Sequence, residues 1–180
     1  MARCANRLVS RSALKDAIVD AASTLLAKEG VAGLSYRRVA SQVGISPGTM
    51  TYHFKDMCKL ISAALARLAE TIEASCIDTL KAASSRTEMH EFLADLITTN
   101  TGTSLVAFMT LPLNGGFWDD DHVAIIHAVS EKTVKALQKH FDEKTARALI
   151  VLLKGLSVRG RLATAGLDRS EVLEFIKKIS

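Results

Sequence analysis

The stretch from Ser35 to Leu60, SYRRVASQVGISPGTMTYHFKDMCKL, leaves the backbone few choices. Ser35 stands just before a short helical pattern, where its hydroxyl can accept a bond from an otherwise unpaired backbone N–H. Val39, Ala40 and Val43 then fall on one side of that helix. Gly44 permits a left-handed turn at little steric cost, and Ile45 is predicted to tuck between the helices. Ser46 and Pro47 read as the cap and first residue of a second helix, where proline's missing N–H does no harm. Met50 and Phe54, four apart, face inward, while Thr49, Thr51, Tyr52 and His53 remain on other faces. Two short helices, a tight turn and the start of a third helix after Asp56 make a helix-turn-helix. Its second helix offers small polar side chains to a DNA groove.

The rest of the chain is also helical in pattern. A first helix is predicted from about Ser12 to Lys28, with Leu14, Ile18, Ala21, Ala22, Leu25 and Leu26 at helical spacing and Gly30 as its stop. After Asp56 a long helix runs to about Ala83 on a stripe that includes Leu60, Leu65, Leu68, Ile72, Cys76 and Leu80. No Pro or Gly interrupts it, so it reads as a continuous connector to everything downstream. Further helices are predicted over about Thr87–Thr99, Leu105–Leu111, Asp119–Phe141, Glu143–Ala165 and Arg169–Ile179. In the third of these, Val123, Ile126, His127, Val134, Leu137 and Phe141 are placed on or near the buried side. No useful strand-period alternation and no internal repeat is evident. The fold class is all-α, with about nine helices in two parts: residues 1–56 and residues 57–180.

Charge separates the same two parts. The first 60 residues hold nine Lys/Arg against four Asp/Glu, a net +5; the remainder holds fourteen against fifteen. The basic excess therefore lies with the helix-turn-helix, as polyanion binding requires. An arm over residues 1–11, with Arg3, Arg7 and Arg11, could reach along a DNA backbone or be a solvated tail. Cys4, Cys58 and Cys76 are too few and too scattered for a disulfide framework or a zinc site, which points to reduced thiols and a cytoplasmic setting. The most apolar run, Ala148 to Val158, is broken by Lys154 and too short to span a bilayer.

The candidate DNA-reading set is Arg37, Arg38, Ser46, Thr49, Thr51, Tyr52, His53, Lys55 and Lys59: short polar groups for base edges, basic groups for phosphates. His53 could equally pack or cap locally. A second set is apolar with interspersed polar groups: Phe92, Leu96, Phe108, Met109, Phe117 and Trp118 with His122 and His127. Such a mixture suits a small-molecule cavity, and it equally describes plain core. Asp119, Asp120 and Asp121 are read as capping a helix start and complementing its dipole, not as holding a metal. No phosphate-cradling glycine loop, metal-ligand spacing or nucleophile elbow is present, so neither an enzyme nor a cofactor is expected.

The residues Gly30, Ser35, Arg37, Arg38, Ala40, Gly44, Ile45, Ser46, Gly48, Met50, His53, Phe54 and Leu60 follow one another as in the TetR family of transcriptional regulators, which the chain resembles over its first third. Two positions depart from the family pattern. Thr51 stands where a first aromatic is usual, with Tyr52 one place later, and Met57 stands where a basic residue is usual, between Lys55 and Lys59. The resemblance implies a homodimeric repressor. Its ligand cavity would lie among the helices after the connector, and its dimer interface would form from the last two helices. There Leu149, Ile150, Leu152, Leu153 and Leu156 make a broad apolar face. The partners implied are double-stranded operator DNA, a small-molecule effector and a second copy of the chain. The alternative is a ligand- or protein-binding module of the same fold that no longer reads DNA, with Thr51 and Met57 as its support.

Overall fold

The computed structural model describes residues 11–98, 108, 119–162 and 168–180, of which Arg11 and residues 156–162 are described by their backbone alone. Helix α1 spans Arg11–Glu29, α2 Tyr36–Val43 and α3 Pro47–His53. The connector α4 starts as Met57–Ile72 and continues without a break through a π-helical turn, Glu73–Ile77, into Asp78–Ala82. Then come α5 (Arg86–Thr98), α6 (Asp120–Leu137), α7 (Glu143–Leu162) and α8 (Arg169–Ile179). Counting the connector as one rod, these are eight helices, and no strand occurs among the described residues. The helix expected over Leu105–Leu111 lies outside those residues except for Phe108, which is helical and fully buried. The arm over residues 1–10 and the stretch 163–165 also lie outside them.

The connector carries the fold. One side of α4 buries Leu60, Ile61, Ala64, Leu65, Leu68 and Ile72, against α1 on one flank and α6 on another. Arg67 reaches across to Asp16 and Asp20 of α1, which ties the N-terminal unit to the rod. The π-helical turn departs from the uninterrupted helix expected, and a run of hydroxyl side chains lies along it. Thr71, Ser75 and Thr79 each donate to the carbonyl four residues back, at 3.0, 2.7 and 2.9 Å. Such back-bonding competes with the backbone ladder and loosens it locally. An ion pair from Lys132 of α6 to Glu73 fixes this turn in place.

Helix α6 buries Ile126, Val134 and Leu137, and Phe141 just beyond it is buried too, as expected. Val123 and His127 do not follow: Val123 is half exposed and His127 is exposed. Both stand on the side of α6 that borders an open groove toward α7, so neither is covered as Ile126 and Val134 are.

Helix α8 is held against α5 by charge and by one buried imidazole. Arg169 donates to Glu91 at 2.5 Å and to Asp95 at 2.6 Å. His90 stacks on Phe141, and its Nε2 lies 2.7 Å from the Ser180 hydroxyl, which itself donates to the Ile176 carbonyl. The imidazole is therefore the donor. Burial lowers its pKa, and Arg86 and Lys177 lower it further, against a smaller opposing effect of Glu91. The unfolded chain then takes up a proton more readily than the folded one. Stability contributed by His90 should be complete above the ordinary imidazole value of about 6.5 and fall as pH drops from there toward the lower folded value. Chemical unfolding between pH 7.5 and 5 should show this slope, and His90→Phe should flatten it.

Candidate nucleic-acid interface

The helix-turn-helix is built from local rules that the side chains obey one by one. The Ser35 hydroxyl accepts from the Arg38 N–H at 3.3 Å, and Ser46 accepts from the Thr49 N–H at 3.1 Å. Gly44 adopts φ 76° and ψ 33°, the left-handed conformation, and closes α2 with its N–H on the Ala40 carbonyl. Pro47 opens α3, and Phe54 ends it by donating to the Met50 carbonyl at 2.9 Å. Asp56 then caps α4 through the Cys58 N–H. Val39, Ala40, Met50 and Phe54 are buried, so α2 and α3 are clamped by their inner faces. Pro47, Gly48, Thr51 and Tyr52 are exposed on the outer side, with Thr49 and His53 half-buried.

Around this outer face Arg37, Lys55 and Lys59 are exposed, as are Ser41 and Gln42 beside Arg37 in a shallow depression on α2. Ser41 and Gln42 were not among the sequence candidates; a polar pair one turn before Gly44 was the available signal.

Arg38 has a different occupation. Its guanidinium forks onto both carboxylate oxygens of Glu29 at 2.5 Å and donates to the Gly33 carbonyl at 2.7 Å. The pairing lowers the Glu29 pKa and raises that of Arg38. It joins the end of α1 to the start of α2, the reach that sets how α2 and α3 sit on their support. Gly33 makes the approach possible, because a Cβ there would stand 2.4 Å from the Glu29 Cβ. Gly33→Ala is therefore expected to cost about 1–3 kcal/mol as overpacking, read as a Tm lower by roughly 2–12 °C. Tyr36, next to this clamp, packs its ring on the core, and its buried hydroxyl finds no partner among the described residues. Burial, with Asp56 and Cys58 nearby, raises its pKa.

The second candidate set is divided by the structure. Phe108 and Leu96 are buried in the core and Phe92 packs on it. Met109, Phe117 and Trp118 lie outside the described residues. His122 is fully buried, but at the junction of α6 with the first turn of α4. Its Nδ1 accepts from the Asp119 N–H at 3.4 Å, while Asp119 accepts from the His122 N–H at 2.9 Å, a reciprocal cap. Its Nε2 lies 2.9 Å from the Ser62 hydroxyl and 3.1 Å from the Cys58 carbonyl. Since Ser62 donates to that same carbonyl, the imidazole donates through Nε2. The start of α6 and the start of α4 are thus one hydrogen-bonded unit.

His127, five positions on, faces another way. It borders an open groove of about 420 Å³ between α6 and α7, with Val123, Ile126, Val134, Ile150 and Val151 as apolar walls. Arg147 on its edge donates to Glu131 at 2.8 Å and to Glu143 at 3.0 Å, which lowers the Glu131 pKa.

Residues 18–64 match the family described as bacterial regulatory proteins, tetR family. The likeness to solved structures spans nearly all of the chain. SCO7518 of Streptomyces coelicolor A3(2), assigned as a transcriptional regulator, is 32% identical, with 92% of this chain and 97% of that one covered at a TM-score of 0.71. The multidrug binding protein EbrR in complex with ethidium is 24% identical, covering 95% of this chain and all of its own at 0.73. SCO1917 from Streptomyces coelicolor A3, a member of the TetR family, is 24% identical, with 92% and 97% covered at 0.66. These last two show likeness of fold. No curated protein matches the chain. With its helix-turn-helix in that family's pattern and a 32% identical regulator matched along almost its whole length, the chain belongs to the TetR family of bacterial regulatory proteins.

Proposed function

We propose that this DNA-binding transcription regulator is a homodimeric repressor, released from its operator by a small-molecule effector. The observation that carries the reading is the capped α2–turn–α3 unit, with Thr49, Thr51 and Tyr52 of α3 on its outer side and exposed Arg37, Lys55 and Lys59 around it. Residues 1–56 serve as the DNA-binding domain and residues 57–180 as the ligand-binding and dimerisation domain. Ser46 and His53 shape α3, and Arg38 supports it through Glu29. Two copies of α3 would enter successive major grooves about 34–36 Å apart.

The effector would occupy the core around Phe92, Leu96 and Phe108, together with Met109, Phe117 and Trp118. The ethidium complex of EbrR supports a small-molecule site in a chain of this fold. His122 then acts as the link through which a shift of α6 reaches the start of α4. His127 lies toward the groove on the other side. The effector must bind the DNA-incompetent state more tightly, and DNA must reciprocally weaken its binding.

Two copies would meet over the last two helices. Val151 of α7 is 70% exposed beside Val123 of α6, and Phe175 and Ile179 of α8 are exposed as well. No helix of the described residues is long and apolar enough to cross a membrane, and the cytoplasm is the setting where such a regulator meets DNA. The test is binding of the full chain to DNA from upstream of its own gene against scrambled DNA over a salt series. A complex that outlasts the scrambled one as salt rises supports the reading. Equal, salt-labile binding to both, and to every sequence of a random pool, removes it.

A further inference from the structure

The groups that α3 turns outward are unusual for a helix that reads base edges. Pro47–His53 contains no arginine, lysine, asparagine or glutamine, so none of its side chains can make a bidentate bond to guanine or adenine. Its short hydroxyls already have partners within the helix and its cap. Thr49 Oγ1 lies 3.0 Å from Ser46 Oγ, and Thr51 Oγ1 donates to the Gly48 carbonyl at 3.0 Å. With its hydroxyl turned back along the helix, exposed Thr51 offers its methyl group. Beside it Tyr52 is 60% exposed, and its ring is steadied edge-to-face by His53 at 5.4 Å. The outward surface of α3 is therefore largely apolar.

In the major groove the group that such a surface can distinguish is the 5-methyl of thymine. Resting on the DNA-binding reading above, we propose that α3 reads its half-site through thymine methyl groups, contacted by the Thr51 methyl and the Tyr52 ring. Lys55, Lys59 and Arg37 then supply affinity without sequence information.

The experiment begins with a random-sequence duplex pool selected on the full-length protein. In the enriched duplex each thymine is replaced in turn by uracil, which removes only the methyl group. Uracil at one or two positions per half-site should weaken binding roughly fourfold each, the worth of one buried methyl. Thr51→Ser keeps the hydroxyl and loses the methyl; it should bind the thymine duplex more weakly by roughly fourfold per half-site and cease to distinguish uracil at one position of each. Thr51→Val keeps the methyl and replaces the hydroxyl by a second one; it should keep the discrimination against uracil that Thr51→Ser loses. Equal binding to every uracil duplex overturns the proposal, as does a Thr51→Val protein that loses uracil discrimination as Thr51→Ser does. A pool that yields no enriched sequence overturns the DNA-reading function itself, and thymine recognition with it. An enriched half-site indifferent to uracil leaves that function standing and removes only the thymine readout.

Discussion

Phe54→Ala should lower the Tm by about 6–20 °C and abolish sequence-specific DNA binding at temperatures where the rest of the chain remains folded. The ring is 6% exposed, and Lys15 of α1 lies over it at 5.8 Å to the centroid. It is therefore seated against the supporting helix at the point where α3 ends and the chain turns into α4. Truncating a buried phenylalanine costs about 3–5 kcal/mol through lost transfer energy and the cavity left behind. For a chain of this length each kcal/mol moves the Tm by roughly 2–4 °C. The loss falls on the short α3, which has few other anchors: within Pro47–His53 only Met50 is buried. Phe54→Leu, which keeps most of the volume, should cost less than about 1.5 kcal/mol and retain binding. A thermal melt of Phe54→Ala within 2 °C of the parent would show that the ring is not the anchor described here.

What the sequence made legible is what short-range physics decides. Ser35, Ser46, Asp119 and Asp168 all act as caps because a cap involves a side chain and a backbone group two or three residues away. Gly44 takes the left-handed turn for the same local reason. Helix α8 begins and ends where its pattern does. The less legible features are long-range. The fork of Arg38 on Glu29 spans nine residues and depends on how α1 meets α2. The bond from His122 to Ser62 spans sixty, so the histidine could be grouped with the central apolar residues by type but not by place. The exposure of His127 and Val123 depends on how α7 packs on α6, which leaves an open groove beside them. One feature did leave a trace: Thr71, Ser75 and Thr79, four apart, line the connector where it passes through the π turn.

Lys55→Gln combined with Lys59→Gln should weaken DNA binding by roughly a thousandfold at 0.15 M salt, on specific and scrambled DNA alike. Both lysines are exposed at the end of α3 and in the first turn of α4, and neither joins an ion pair among the described residues. Each that neutralises a phosphate releases counterions worth about 0.9 of the salt slope. In a dimer the four contacts amount to about 3.6, which at this salt is three orders of magnitude. Arg38→Gln is the opposite case. Its guanidinium is already occupied by Glu29 and the Gly33 carbonyl, so its loss should lower the Tm while leaving the slope unchanged. Dissociation constants at four salt concentrations distinguish the two. An unchanged slope in the lysine double variant would mean that neither residue reaches phosphate. A slope reduced by about 2 in Arg38→Gln would mean that the clamp opens on DNA and hands its charge to the backbone. The departure at Met57, between the two lysines, gives this comparison its force: with no basic group there, the lysines on either side stand where its charge would be at the end of α3.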